Sequence, residues 1–164
     1  MIVDSPPTAG SLAKLFKGLL GQNVTVREVD DKLVHGRPTV PTYAGLYVTA
    51  GTVVCAAAIC SLPLAAATGA CLGLIPAGQA DEWIAARRIP ADGMENFCEI
   101  LNVLAGAFNE AYPGRHVRLR TVLQPGQMPP QVDIRQLLDG TVPGINTAVH
   151  VDRYPAGLLT LRSR

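Results

Sequence analysis

The sequence predicts an α+β fold in which helices pack on a largely antiparallel sheet and a unit of one helix plus three strands occurs twice. Three observations carry this. The stretch from Asp92 to Tyr112 has the 3.6-residue apolar period of an amphipathic helix, the strongest helix signal in the chain. Runs such as Tyr43 to Ala50 and Thr52 to Cys60, separated by Gly51, read as strands of a hairpin. The two halves also share one order, helix, strand, long link, two strands, although their residues barely match.

Taken in order, residues Met1 to Gly10 carry Pro6 and Pro7 and read as a loose lead-in, with one domain expected over residues 11–164. A short amphipathic helix runs from Ser11 to Gln22, with Ser11 as cap, Leu12, Leu15, Phe16 and Leu19 as its stripe, Lys14 and Lys17 outward, and Gly21 at its stop. Alternation over NVTVREVD predicts a strand. The following stretch to Thr42 is a loop or edge, since Pro38 and Pro41 cannot donate to a central ladder. After the hairpin, Leu62 to Leu74 reads as a small-residue helix with Ser61 as cap and Pro63 in its first turn. Ile75 to Ala91 is a connector with a short helical turn at Asp81 to Ala86 and with Trp83 turned onto the core. RHVRLRTVL alternates Val117, Leu119 and Thr121 against His116, Arg118 and Arg120, a half-exposed strand with a basic outer face. Val132 to Leu138 is a short helix, and the chain ends in two strands around Pro155 to Gly157.

Composition narrows the function classes. At 164 residues, 48% hydrophobic and 16% charged, with a formal net charge of +1, the chain can bury a real core and lacks the basic excess of a nucleic-acid binder. Cys55, Cys60, Cys71 and Cys98 have no C-x-x-C spacing and the three histidines are far apart, so no metal site is expected. Buried reduced thiols, no signal peptide and a cytoplasmic chain follow from the same reading. Pro38 to Ala80 carries no charge, yet Pro63, Gly69 and Gly73 interrupt it. It reads as two buried elements joined at Ser61 to Pro63, with no membrane span.

Function is sought on the long helix. Asp92 as N-cap and Glu95 three residues on have the form of a capping box, and Pro113 and Gly114 end it. Met94, Phe97, Ile100, Leu101, Leu104, Ala105, Phe108 and Tyr112 form the apolar arc. Glu95, Glu99, Asn102, Gly106, Asn109 and Glu110 form the opposite stripe. Capping accounts for Glu95, and ordinary solvation for Asn109 and Glu110. Glu99 and Asn102 stand together, and helix stability does not require them. A carboxylate can pair a cation and a carboxamide can hold a water by donating and accepting at once. That pair lacks a nucleophile and a metal-ligand set, but suits hydrolysis of a phosphoryl group held and activated by a partner.

The E-I-L-N sequence from Glu99 to Asn102, inside ENFCEILNVLAGAFN and within the doubled helix-plus-three-strands order, resembles the CheX/CheC/FliY chemotaxis phosphatase family, whose signature is an E-x-x-N helix. The chain is most similar to its CheX-like members. Specific residues carry the resemblance from Glu95 to Asn109, and organisation carries it from Ser11 to Leu161. It implies an enzyme of two-component signalling that hydrolyses the phospho-aspartate of a CheY-like response regulator. Glu99 would pair a lysine of the regulator and Asn102 would orient water. No cofactor is implied for this chain, and Mg2+ is expected in the regulator's own site. The first helix lacks the motif, so one site per chain is implied, as in CheX, and the family and the edge strands suggest a homodimer. Glu95, Gly106, Arg118 and Arg120 are candidate partner-binding residues. Gly106 would allow close approach, and the arginines would meet an acidic face or serve only solubility and edge protection. The alternative is a non-catalytic CheX-like binding or scaffold domain in a signalling or flagellar-switch assembly.

Overall fold

The computed structural model describes residues 6–164, so residues 1–5 of the expected lead-in lie outside the described residues. Strand β2 (Thr42–Val48) pairs antiparallel with β3 (Val54–Ser61), the expected hairpin. Both strands are buried along their whole length, which explains their unbroken apolar sequence. With β1 (Val24–Glu28), β4 (Arg118–Leu123), β5 (Gly144–Val151) and β6 (Gly157–Ser163) they form a six-stranded sheet. Its order is β1-β5-β6-β3-β2-β4, every pairing antiparallel. Exchanging β1 with β4, β2 with β5 and β3 with β6 returns the same order read from the other end. The expected pseudo-two-fold repeat is therefore built into the sheet, with its axis between β3 and β6.

Four helices cover one face. These are α1 (Ala9–Leu20), α2 (Leu62–Leu72), α3 (Ala77–Ala85) and α4 (Ala91–Ala111). Their apolar sides meet Tyr43 and Tyr47 of β2, Cys60 of β3 and Leu159 and Leu161 of β6 in the larger core. The uncharged stretch is thus accounted for by β2, β3 and α2, which is buried on nearly every side. Among the described residues no helix is long and apolar enough to cross a membrane. A smaller core on the other face sets Ala44, Leu46, Ala57 and Ile59 against Leu33 and against Ile134, Leu137 and Leu138 of α5 (Val132–Asp139). The buried Arg162 side chain donates to the Leu33 and Leu137 carbonyls at 2.8 and 3.1 Å, tying the β1–β2 link and α5 to the sheet.

Three local expectations are corrected. Helix α1 begins at Ala9, inside the expected lead-in, because Thr8 is its N-cap: the Thr8 hydroxyl accepts from the Ser11 amide at 3.0 Å while Ser11 Oγ accepts from the Thr8 amide at 3.1 Å. Ser11 is the third residue of a capping box and not the cap. The turn expected at Asp81 to Ala86 is the nine-residue α3, with Trp83 buried as expected. In β4 a bulge sets Leu119 opposite Tyr47 but Thr121 opposite Leu46, leaving Arg120 without a partner residue. The extra residue inverts the alternation, so Val122 joins Leu119 on the helical face and Thr121 leaves it.

Candidate functional site

The long helix α4 is held from beneath by β2. Tyr43 meets Phe97 edge-on with ring centroids 5.5 Å apart, and Tyr47 meets Phe108 at 5.1 Å. The Tyr47 hydroxyl, wholly buried and with its pKa pushed well up by desolvation, donates to the Leu101 carbonyl at 2.6 Å. That carbonyl belongs to the residue before Asn102, so the sheet fixes the turn that carries the polar pair. At the α2 crossing Gly69 and Gly93 bring two helix backbones together: a Cβ on Gly69 would stand 2.7 Å from the Gly93 carbonyl oxygen.

The N-cap falls two residues earlier than expected, at Pro90, so the helix begins at Ala91 and the Met94 amide donates to the Pro90 carbonyl at 2.9 Å. Neither Asp92 nor Glu95 makes a capping hydrogen bond. Asp92 lies within the first turn, where its charge faces the positive end of the helix dipole. Glu95 is therefore released from the capping role assigned to it and is exposed on the stripe.

Glu95, Glu99, Asn102 and Gly106 stand on one exposed stripe of α4, each three or four residues from the next. Glu99 and Asn102 make no side-chain hydrogen bond or ion pair among the described residues; the one ion pair there joins Arg164 to Asp133. Among the described residues a Cβ on Gly106 would meet nothing within 4 Å, which leaves the surface beside the pair open to them. On α1, which holds the equivalent place in the repeat, the outward groups are Lys14 and Lys17.

Arg118 and Arg120 are not brought into this stripe. Arg118 pairs with Val48, whose side chain belongs to the smaller core, and Arg120 lines a pocket with Leu46, Thr121 and Ile134 and donates to the Thr52 carbonyl at 3.1 Å. Both lie on the α5 face, with the sheet between them and α4. Asn109 is not an ordinary solvated group either. Its carboxamide accepts from the Val117 amide at 2.8 Å and donates to the Val117 carbonyl at 3.1 Å, joining the end of α4 to the approach to β4.

The chemistry available is limited. Among the described residues no three of His, Cys, Asp and Glu are grouped to hold a metal ion. Burial pushes the pKa of all four thiols up, although Cys98, unlike the other three, is only half-buried. Sequence reasoning missed His35. Its Nε2 lies 2.8 Å from the Gln127 carbonyl and its Nδ1 2.8 Å from the Thr42 hydroxyl, so it bolts the β1–β2 link to the loop after β4. Gln127 is distant in sequence and His35 itself lies in an irregular link, so no periodicity marks the contact.

No protein-family model matches the chain, and no curated protein matches it in sequence. Solved structures do match. FliM in its complex with SpeE from H. pylori has a TM-score of 0.65 at 10% identity, covering 94% of this chain and 80% of that one. FliM in its complex with FliG from H. pylori has a TM-score of 0.64 at 10% identity, covering 96% and 86%. A CheC-like superfamily protein from Shewanella SP. PV-4 is a looser match, with a TM-score of 0.49 at 13% identity over 96% and 95%. At these identities the likeness speaks for the fold alone.

Proposed function

We propose that this chain, which has the fold of the FliM structures and the repeat of the CheC/CheX/FliY group, is a phosphatase-type regulator acting on a CheY-like response regulator. The observation that carries the proposal is the pair Glu99 and Asn102, exposed side by side on a helix fixed from below and unused by the chain itself. In this reading the regulator holds its phospho-aspartate and its Mg2+. Asn102 holds a water by donating to and accepting from it, in line with the phosphorus, while Glu99 pairs a cation of the regulator beside the acyl phosphate. Water adds to phosphorus, the bond to the aspartyl oxygen breaks, and carboxylate and inorganic phosphate separate. Glu95 and Gly106 belong to the docking surface, whereas Arg118 and Arg120, on the other face, would meet a second region of the partner or none. Among the described residues the outer edges of β1 and β4 carry no further strand, and homodimerisation through such an edge is part of the proposal.

A second reading, a binding or scaffold domain without catalysis, is favoured by the FliM matches, since those FliM chains are seen assembled with SpeE and with FliG. One experiment separates the two. Phosphorylated and unphosphorylated response regulators from the same genome are titrated with the chain while phosphate release is followed. Release above the regulator's own decay at substoichiometric chain supports the enzyme. Saturable binding without release supports the scaffold, and neither with any regulator removes the enzyme reading and leaves the scaffold reading to partners of another kind.

A further inference from the structure

Three segments far apart in sequence meet around an open cleft of about 480 Å³: the link between β1 and β2, the turn after α3 and the loop after β4. Its charged lining groups are Arg37 and Arg87, and its other walls include Gly36, Pro38, Pro41 and Gly126. No carboxylate lines it, and neither guanidinium has a carboxylate partner among the described residues. Two unpaired cations in a concave site concentrate positive potential, and planar guanidinium forks match the oxygens of a phosphate. The volume falls in the range of small-molecule sites, roughly 300–1,000 Å³.

The rim is built and braced. His35 joins the first segment to the third through the Gln127 carbonyl, the Val40 amide closes a turn onto the Arg37 carbonyl, and Arg87 Nη2 reaches the Pro38 carbonyl at 3.5 Å. Gly36 and Gly126 adopt φ of 95° and 84°, conformations that other residues rarely take. Arg87 itself has φ 53°, just beyond the end of α3, where glycine is the ordinary choice. An arginine thus stands where the backbone alone favours glycine, and its side chain faces the cleft.

We propose that this cleft binds a phosphate-bearing small molecule, gripped by Arg37 and Arg87 from two separate segments. The inference is independent of the reading of Glu99 and Asn102.

The test is calorimetric titration of the full chain with pyrophosphate and with ADP at physiological ionic strength. The proposal expects saturable binding of at least one, weakened about tenfold or more by Arg37→Gln and by Arg87→Gln, and unchanged by Arg27→Gln on β1. Arg87→Gly should lower affinity while raising the melting temperature of the unliganded chain, which separates loss of the ligand contact from loss of the fold. Equal affinity for the two probes assigns a free phosphate compound, and tighter ADP binding a nucleotide. Absence of saturable binding, or equal weakening by Arg27→Gln, overturns the proposal.

Discussion

The carboxamide of Asn109 closes both hydrogen bonds of Val117, accepting from its amide at 2.8 Å and donating to its carbonyl at 3.1 Å. One side chain here does the work of a strand partner and sets where the chain reverses after α4. Asn109→Ala should cost about 2 kcal/mol, because two partly buried backbone groups lose their partner at about 1 kcal/mol each. Asn109→Asp keeps the acceptor but turns a carboxylate oxygen towards the Val117 carbonyl, so it should recover little of that loss. Urea denaturation of the three proteins checks this, and a neutral alanine variant would deny the clasp any energetic role.

The glycines of α4 and its neighbour should respond in opposite directions. With nothing within 4 Å of an added Cβ, Gly106→Ala should stabilise by up to about 1 kcal/mol through helix propensity. Gly69→Ala would drive its methyl against the Gly93 carbonyl oxygen and should destabilise by about 2 kcal/mol. If a partner approaches α4 closely beside Asn102, the more stable Gly106→Ala protein should bind it less well. Thermal melts together with partner titration measure both effects.

His35 gives the chain a defined acid sensitivity. Burial lowers its pKa below the ordinary value of about 6.5, outweighing the hydrogen bond to the Gln127 carbonyl that raises it. The unfolded chain therefore binds more protons than the folded one as pH falls through about 6.5, so stability declines with falling pH there and is unaffected well above it. His35→Gln, neutral throughout, should start from a lower stability and lose less between pH 7.5 and 5.5. Parallel slopes for the two proteins would contradict this.

Much of the fold was legible because it rests on local pattern. The hairpin, the small-residue helix behind Ser61 and the apolar arc of α4 all follow from periodicity and breakers, and the doubled order foretold a sheet whose strand order maps onto itself. What escaped depends on geometry between segments. Nothing in RHVRLRTVL announces the bulge at Arg120, which arises where β4 meets β2 and moves Thr121 to the other face. Capping went to Thr8 and Pro90 and not to Ser11 and Asp92, since several residues near a helix start satisfy the same composition rule.

The candidate site was legible in the same partial way. Glu99 and Asn102 are three apart on one helix, so sequence alone brings them together. Placing Arg118 and Arg120 relative to them required the sheet, and the sheet separates them. Asn109 looked like its neighbours on the stripe because its partner lies beyond a chain reversal. The cleft of Arg37 and Arg87 draws on loops without periodicity and could be found only in three dimensions.

The catalytic role of Asn102 is the central claim, and its side chain has no structural duty that would confuse the result. The most direct measurement is a time course of phosphate release from a phosphorylated CheY-like regulator with the wild-type chain beside Asn102→Ala, after melts confirm that the variant keeps its stability within about 0.5 kcal/mol. Accelerated release by the wild type, and decay at the regulator's own rate with Asn102→Ala, are expected. Equal acceleration by both proteins would contradict that role.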